Sequence, residues 1–134
     1  MTAKGYLNQV RLADRQINVK LDEVSRLRQK IAQSSVQLQR DRIKSSAGAD
    51  FTQTIDKIVD LEREIDSEIG NLVRLKKETR TKINALSDKR YVIVLTEYYI
   101  NCKTLRKIAQ DNYWSHDPVR RLHGKALTEF EKIL

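Results

Sequence analysis

Five side chains near the end of this 134-residue chain have types and spacings that could do chemistry: His116, Asp117, Arg120, Arg121 and Lys125. Arg presents a planar fork of donors that matches guanine O6 and N7, or a phosphate, with two parallel hydrogen bonds. His116 and Arg120, Asp117 and Arg121, and Arg121 and Lys125 are each four residues apart. That spacing puts each pair on one side of a helix. A cationic helix face with one acid and one imidazole is equipped to recognise a polyanion. The bland alternative is an ordinary solvated basic face, and what surrounds the helix decides between the two.

Catalysis is not expected. The chain has no Gly-rich phosphate loop and no Ser/His/Asp or Cys/His arrangement with a plausible pocket. His116, His123 and Cys102 are the soft metal ligands, and no CxxC or HxxxH accompanies them, so neither a metal nor another cofactor is expected. The acidic run Asp56, Asp60, Glu62, Glu64, Asp66, Glu68 is interleaved with Lys and Arg and reads as a solvated coiled-coil flank. Tyr91, Tyr98, Tyr99, Tyr113 and Trp114 recur at helical spacing and read as core rather than as a base-stacking platform.

The elements that must position the five side chains lie between Thr104 and Leu127. Thr104 is a good N-cap. Leu105, Ile108 and Ala109 make one apolar face of a short helix. Gln110 to Asn112 is polar, and Tyr113 and Trp114 supply the apolar bulk of a turn. Ser115 is a second N-cap, and Asp117 suits the positive end of a helix dipole. Pro118 is tolerated in a first turn, where the N–H groups lack intrahelical partners. Val119, Leu122, Ala126 and Leu127 form the buried face of a second helix running to about Ile133. A short helix, a turn and a basic second helix is a helix-turn-helix, which sets side chains in a major groove. Lys103, Arg106 and Lys107, at the start of the first helix, suit phosphate contacts.

Residues 86–130 resemble region four of sigma-70-type factors. The match runs from Leu86-Ser87 and Arg90 through Val94, Leu95 and Tyr98 to Thr104-Leu105, Ile108-Ala109, Ser115, Val119-Arg120 and Ala126-Leu127. It is ungapped from Thr104 to Leu127. Pro118 departs from it, standing where sigma factors often carry a basic residue. Taken whole, with the hinge Asp41–Ser46 and the ending Arg121–Leu127, the chain resembles small phage-encoded regulators related to the RinA and ArpU late-gene activators. The resemblance implies a bacterial host cytoplasm, double-stranded DNA as partner, and His116, Asp117, Arg120 and Arg121 at positions that face it. RNA polymerase is a further partner that it allows.

The upstream residues read as two long helices. Val10, Ile17, Val24, Ile31 and Leu38 repeat every seven residues, flanked by Leu7, Ala13, Leu21 and Leu27 and interrupted by Lys20 and Ser34. This heptad seam predicts a helix over 3–39, about 55 Å long. Arg40 to Asp50 breaks the pattern, with Asp50 as cap for a second helix over 51–85. Its seam is Phe51, Ile58, Ile65, Leu72 and Leu86, with Thr79 the polar exception and Ile55, Ile69 and Ile83 alongside. Two such helices with a short connection predict an antiparallel hairpin. Ser87 or Asp88 then caps a helix carrying Tyr91, Val94, Leu95 and Tyr98, which ends at Asn101 to Lys103.

The expected fold is all-α: a coiled-coil hairpin over 1–86 and a three-helix, helix-turn-helix domain over 87–134. Both stripes are wide, so a homodimer through the hairpin is expected. The composition agrees with long helices, being 33% charged with four Gly and one Pro. The single Cys102 forms no internal disulfide and suits a reducing compartment. No stretch reads as a signal peptide or nears the roughly 20 apolar residues of a membrane span. The net charge of +8 favours a polyanionic partner. Residues 1–86 carry 17 basic and 12 acidic side chains and residues 87–134 carry 9 and 6, so the surplus reads as spread along the chain and charge alone does not locate the contact. Two other function classes fit the same elements. A DNA-packaging adaptor of the small-terminase kind predicts a large ring. A coiled-coil interaction protein without DNA binding predicts no salt-dependent duplex affinity.

Overall fold

The computed structural model describes residues 1–40 and 45–134, with side chains described outside 35–47 and 49. The Leu38 side chain and residues 41–44 of the expected hinge lie outside the described residues. The chain is all-α. Helices α1 (Ala3–Arg40), α2 (Ser45–Asn84) and α3 (Lys89–Leu95) are followed by a π-helical turn (Thr96–Ile100), then α4 (Leu105–Asp111) and α5 (His116–Glu131). Among the described residues there is no strand.

Helix α2 starts at Ser45, six residues before the expected position, and Asp50 lies inside it rather than capping it. Ala47 and Ala49 are strong helix formers on either side of Gly48. The hydroxyls of Thr52 and Thr54 donate to the carbonyls of Gly48 and Asp50, at 3.1 and 2.9 Å, four residues back as in a continuous helix.

The chain divides into two compact units, Arg15–Gly70 and Met1–Asp14 with Asn71–Leu134. The expected boundary between residues 86 and 87 therefore does not separate them. In Arg15–Gly70, Ile17, Val24, Ile58 and Ile65 are buried, as the heptads predict. Lys20 pairs with Glu64 at 3.3 Å and with Glu68, and Arg28 pairs with Glu62. Glu23 also pairs with Lys57 at 3.4 Å, and from Lys20 to Arg28 the partner steps back from Glu64 and Glu68 to Glu62, as in an antiparallel pair. Lys20, the apparent flaw in the seam, is answered by two carboxylates, which hold its ammonium above its ordinary pKa. The seam is narrower than expected. Leu21, Ile55 and Ile69 remain 46%, 37% and 42% exposed. Two helices in contact cover the heptad line itself, and the flanking columns need a third layer.

That third layer exists in the other unit. Leu7 lies two heptads before Leu21 and Ile83 two heptads after Ile69, yet both are 0% exposed. They form one cluster with Ala3, Leu86, Leu95, Tyr99, Ile100, Ala126 and Phe130. The ends of α1 and α2 are thus part of the core on which the C-terminal helices rest, which is why the boundary at residue 86 fails. Arg11 adds a cation–π contact, 4.0 Å from the Tyr98 ring. Asp88, one of the two expected caps, accepts from the Arg90 backbone N–H at 2.9 Å. The π turn was not expected. Val94 and Leu95 are buried, and so are Tyr99 and Ile100, five residues on. A five-residue step fits an i→i+5 turn, so Tyr99 enters the core fully while Tyr98 stays half-buried.

Candidate nucleic-acid interface

Helices α4 and α5 are held by local signals and a shared core. The Thr104 hydroxyl accepts from the Lys107 backbone N–H at 3.1 Å, which fixes the start of α4. Helix α4 ends in a Schellman motif. The Trp114 N–H donates to the Ala109 carbonyl at 2.8 Å and the Tyr113 N–H to the Gln110 carbonyl at 3.3 Å. Tyr113 holds the left-handed position, φ 57°, where Gly or Asn is the usual residue. Its ring is 97% exposed, so the expected core role falls to Trp114 alone. A left-handed residue turns its side chain out of the helix end while the backbone doubles back, which brings the next residue inwards. Trp114 packs with Val94, Ile108, Ala109 and Val119, joined by Tyr98, Leu105 and Leu122. Ser115 stands at the N-cap of α5 with an extended backbone and without a side-chain cap bond. The helix ends at Glu131, short of Ile133.

The apolar positions foreseen on α5 face inwards. Val119 and Ala126 are buried, Leu122 and Leu127 half-buried, and Phe130, which the sequence reading did not single out, is fully enclosed. His116, Asp117, Arg120, Arg121 and Lys125 are all exposed. His116 Nδ1 lies 3.9 Å from Asp117 Oδ1. Pro118, Arg121, Leu122 and Lys125 share one edge of α5 and border a groove of about 330 Å³, closed on its other side by Arg90 and Tyr91 of α3. Arg120 is not part of that lining. Arg90 is oriented by its own cap: its Nη2 donates to Asp88 Oδ2 at 2.9 Å and its Nε to Oδ1 at 3.3 Å. The same contacts lower the Asp88 pKa, the side-chain bond most and the backbone N–H of Arg90 next.

The three cations expected at α4 divide. Lys103 pairs with Glu97 and, at 3.1 Å, with Asp111. Lys107 also reaches Asp111, at 3.1 Å. Lys103 is the first cause of the lowered pKa of both Glu97 and Asp111, with Lys107 next at Asp111. These pairs brace the loop between the π turn and α4, so Lys103 and Lys107 are partly neutralised, whereas Arg106 is exposed on α4.

Two features were not foreseen from the sequence. One is a buried polar pair: the Tyr99 hydroxyl and His123 Nε2 are 2.8 Å apart, with the rings stacked. Burial raises the pKa of the phenol. Burial, then the charges of Lys4 and Arg11, lowers that of the imidazole. The pair is therefore neutral, joined by one hydrogen bond between the phenol oxygen and Nε2. The residues are 24 apart in sequence, and only packing joins them. The other is the charge distribution. Met1–Asp14 and Asn71–Leu134 together hold 16 basic and 8 acidic side chains, a net +8. Arg15–Gly70 holds 10 of each, a net of zero. The whole surplus sits in the unit that contains α4 and α5. Part of it is the stretch Arg74, Lys76, Lys77, Arg80 and Lys82 of α2, a run legible in the sequence once the boundary is drawn correctly.

Among the described residues, no group of three or more His, Cys, Asp or Glu side chains could hold a metal ion, and no helix is long and apolar enough to cross a membrane. Neither protein-family models, nor curated proteins, nor solved structures give a match to this chain.

Proposed function

We propose that this protein binds double-stranded DNA sequence-specifically through α5 and acts as a transcriptional regulator of phage or prophage origin, an activator of late genes. One observation carries the DNA reading. The net charge of +8 belongs entirely to the unit with α4 and α5, while the other unit, of similar helical make-up, is neutral. A solvated coiled coil needs no such division, and a polyanion-binding module does. The exposed side chains of α5 and the turn that holds it against α4 support the same reading. The regulatory role and its phage setting rest on the resemblance to RinA- and ArpU-related activators. No reaction is assigned. The apolar residues left exposed on Arg15–Gly70, Val19, Leu21, Ile55, Val59 and Ile69, support a homodimer through this unit. A dimer would double the DNA contacts and set a half-site spacing.

The test is selection of duplexes from a random pool, followed by affinity measurements at several salt concentrations. A recovered consensus and a steep negative dependence of log K on log salt are expected. Retention of no sequence and an affinity insensitive to salt would refute the proposal. Light scattering on the same sample should give a dimer, and a large ring would favour the packaging adaptor instead.

A further inference from the structure

Three cations from two distant parts of the chain meet at one groove. Arg121 and Lys125 line it from α5 and Arg90 from the start of α3, with Tyr91, Pro118 and Leu122 completing a space of about 330 Å³. The lining described contains no carboxylate. Asp88 engages Arg90 on Nε and Nη2, which holds the guanidinium plane in place and leaves Nη1 donors over. Like charges around one concavity repel; Asp88, outside the lining, offsets part of the Arg90 charge, and no lining carboxylate relieves Arg121 and Lys125. A bound anion would.

The geometry points to this groove as the seat of a DNA phosphodiester, held jointly by Arg90, Arg121 and Lys125, which leaves Arg120 as the arginine that reads bases. This rests on the DNA-binding function proposed above. The assignment follows from the helix itself. Pro118, Arg121, Leu122 and Lys125 are three and four apart and form one edge of α5, turned towards α3. Arg120 precedes Arg121 by one residue, about 100° round the helix, and faces away from the groove. A phosphate gripped at that edge fixes the height and tilt of α5 against the backbone. The opposite edge can then address base edges, the usual division between positioning and specifying contacts. Arg90 is the component that a reading confined to the helix-turn-helix leaves out, since it lies 14 residues before Thr104.

The experiment uses the full chain and two duplexes, the selected site and a scrambled one, titrated over a range of salt. The variants are Arg90→Gln, Arg121→Gln, Lys125→Gln, Arg120→Gln and the double variant Arg90→Gln/Arg121→Gln. Each groove variant should weaken both duplexes by the same factor, about eightfold at 0.1 M salt if one phosphate contact is lost. Each should also reduce the salt slope by about one unit. The double variant should fall short of the product of its two single effects, because both residues serve one phosphate. Arg120→Gln should instead cost the selected duplex about tenfold or more and spare the scrambled one. Trp114 fluorescence checks that each variant stays folded. Lys125→Gln, which removes a side chain without a role in any cap, carries the test if Arg90→Gln unfolds. Wild-type slopes in the groove variants, or a loss of sequence preference in Arg121→Gln, would overturn the assignment and leave the DNA-binding function standing. If the wild-type protein has no salt-dependent duplex affinity, that function fails and the groove assignment fails with it.

Discussion

Replacing Leu7 by Ala should destabilise the C-terminal helices, although Leu7 precedes the start of α5 by more than a hundred residues. Leu7 is 0% exposed and belongs to the cluster of Ile83, Leu86, Leu95, Tyr99, Ala126 and Phe130. The change deletes three carbons, worth about 2.4 kcal/mol at about 0.8 kcal/mol per methylene. The cavity left among large rigid neighbours brings the total to about 3–4 kcal/mol. That is a large fraction of the roughly 5–15 kcal/mol that holds a typical domain folded. Leu21→Ala is the internal control. It occupies the same heptad column but is 46% exposed, so it should cost about 1 kcal/mol or less. The assay is urea denaturation followed by the fluorescence of Trp114, the only tryptophan, which packs between α4 and α5. A midpoint well below wild type is expected for Leu7→Ala and one near wild type for Leu21→Ala. The duplex affinity proposed above should likewise be lost at urea concentrations that wild type tolerates. If the Trp114 transition of Leu7→Ala coincides with that of wild type, the first turns of α1 do not support the C-terminal helices and the division into units described above is wrong.

Three further outcomes follow from the same structure. Tyr113→Gly should raise thermal stability by about 1 kcal/mol, because a glycine relieves the left-handed backbone and the exposed ring packs against no core residue; an unchanged or lower melting temperature would contradict this. Thr79→Val should stabilise by about 1 kcal/mol in denaturant melts, since Thr79 is 0% exposed on the α2 seam and its hydroxyl finds no hydrogen-bond partner among the described residues. Stability should also decline in mild acid through His123, whose pKa lies below its ordinary 6.5 in the fold. Above that value the ring is neutral folded and unfolded and the contribution is complete. As pH falls below 6.5 the unfolded chain takes up the proton first, and stability drops by at most about 1.4 kcal/mol per pH unit. Denaturation of wild type and His123→Phe between pH 7.5 and 5 reads this, and equal pH dependence in both would exclude His123 as the source.

What the sequence determined by itself is what local chemistry controls. The seven-residue repeats of Ile17, Val24, Ile58 and Ile65 predicted buried lines on two long helices, and those residues are buried. Thr104 marked where α4 begins, because capping depends on a few neighbouring backbone groups, and Ser115 stands at the N-cap position of α5 without a cap bond of its own. The exposed set on α5 followed from its period. Packing at a distance decided the rest. Leu7 and Leu21 occupy the same heptad position, and only the helices laid over Leu7 make one core and the other surface. Helix period alone favoured Tyr98, while the core takes Tyr99, because the π turn displaces the register by one residue where packing favours it. Tyr113 looked apolar enough for the turn, but its backbone sits in the left-handed region and sends the ring outwards. Arg90 meets Arg121 and Lys125, and Tyr99 meets His123, for a common reason. Each joins residues far apart along the chain, and hydrophobic burial, which brings them together, depends on the total area covered and carries no mark in the residues near either end of the contact.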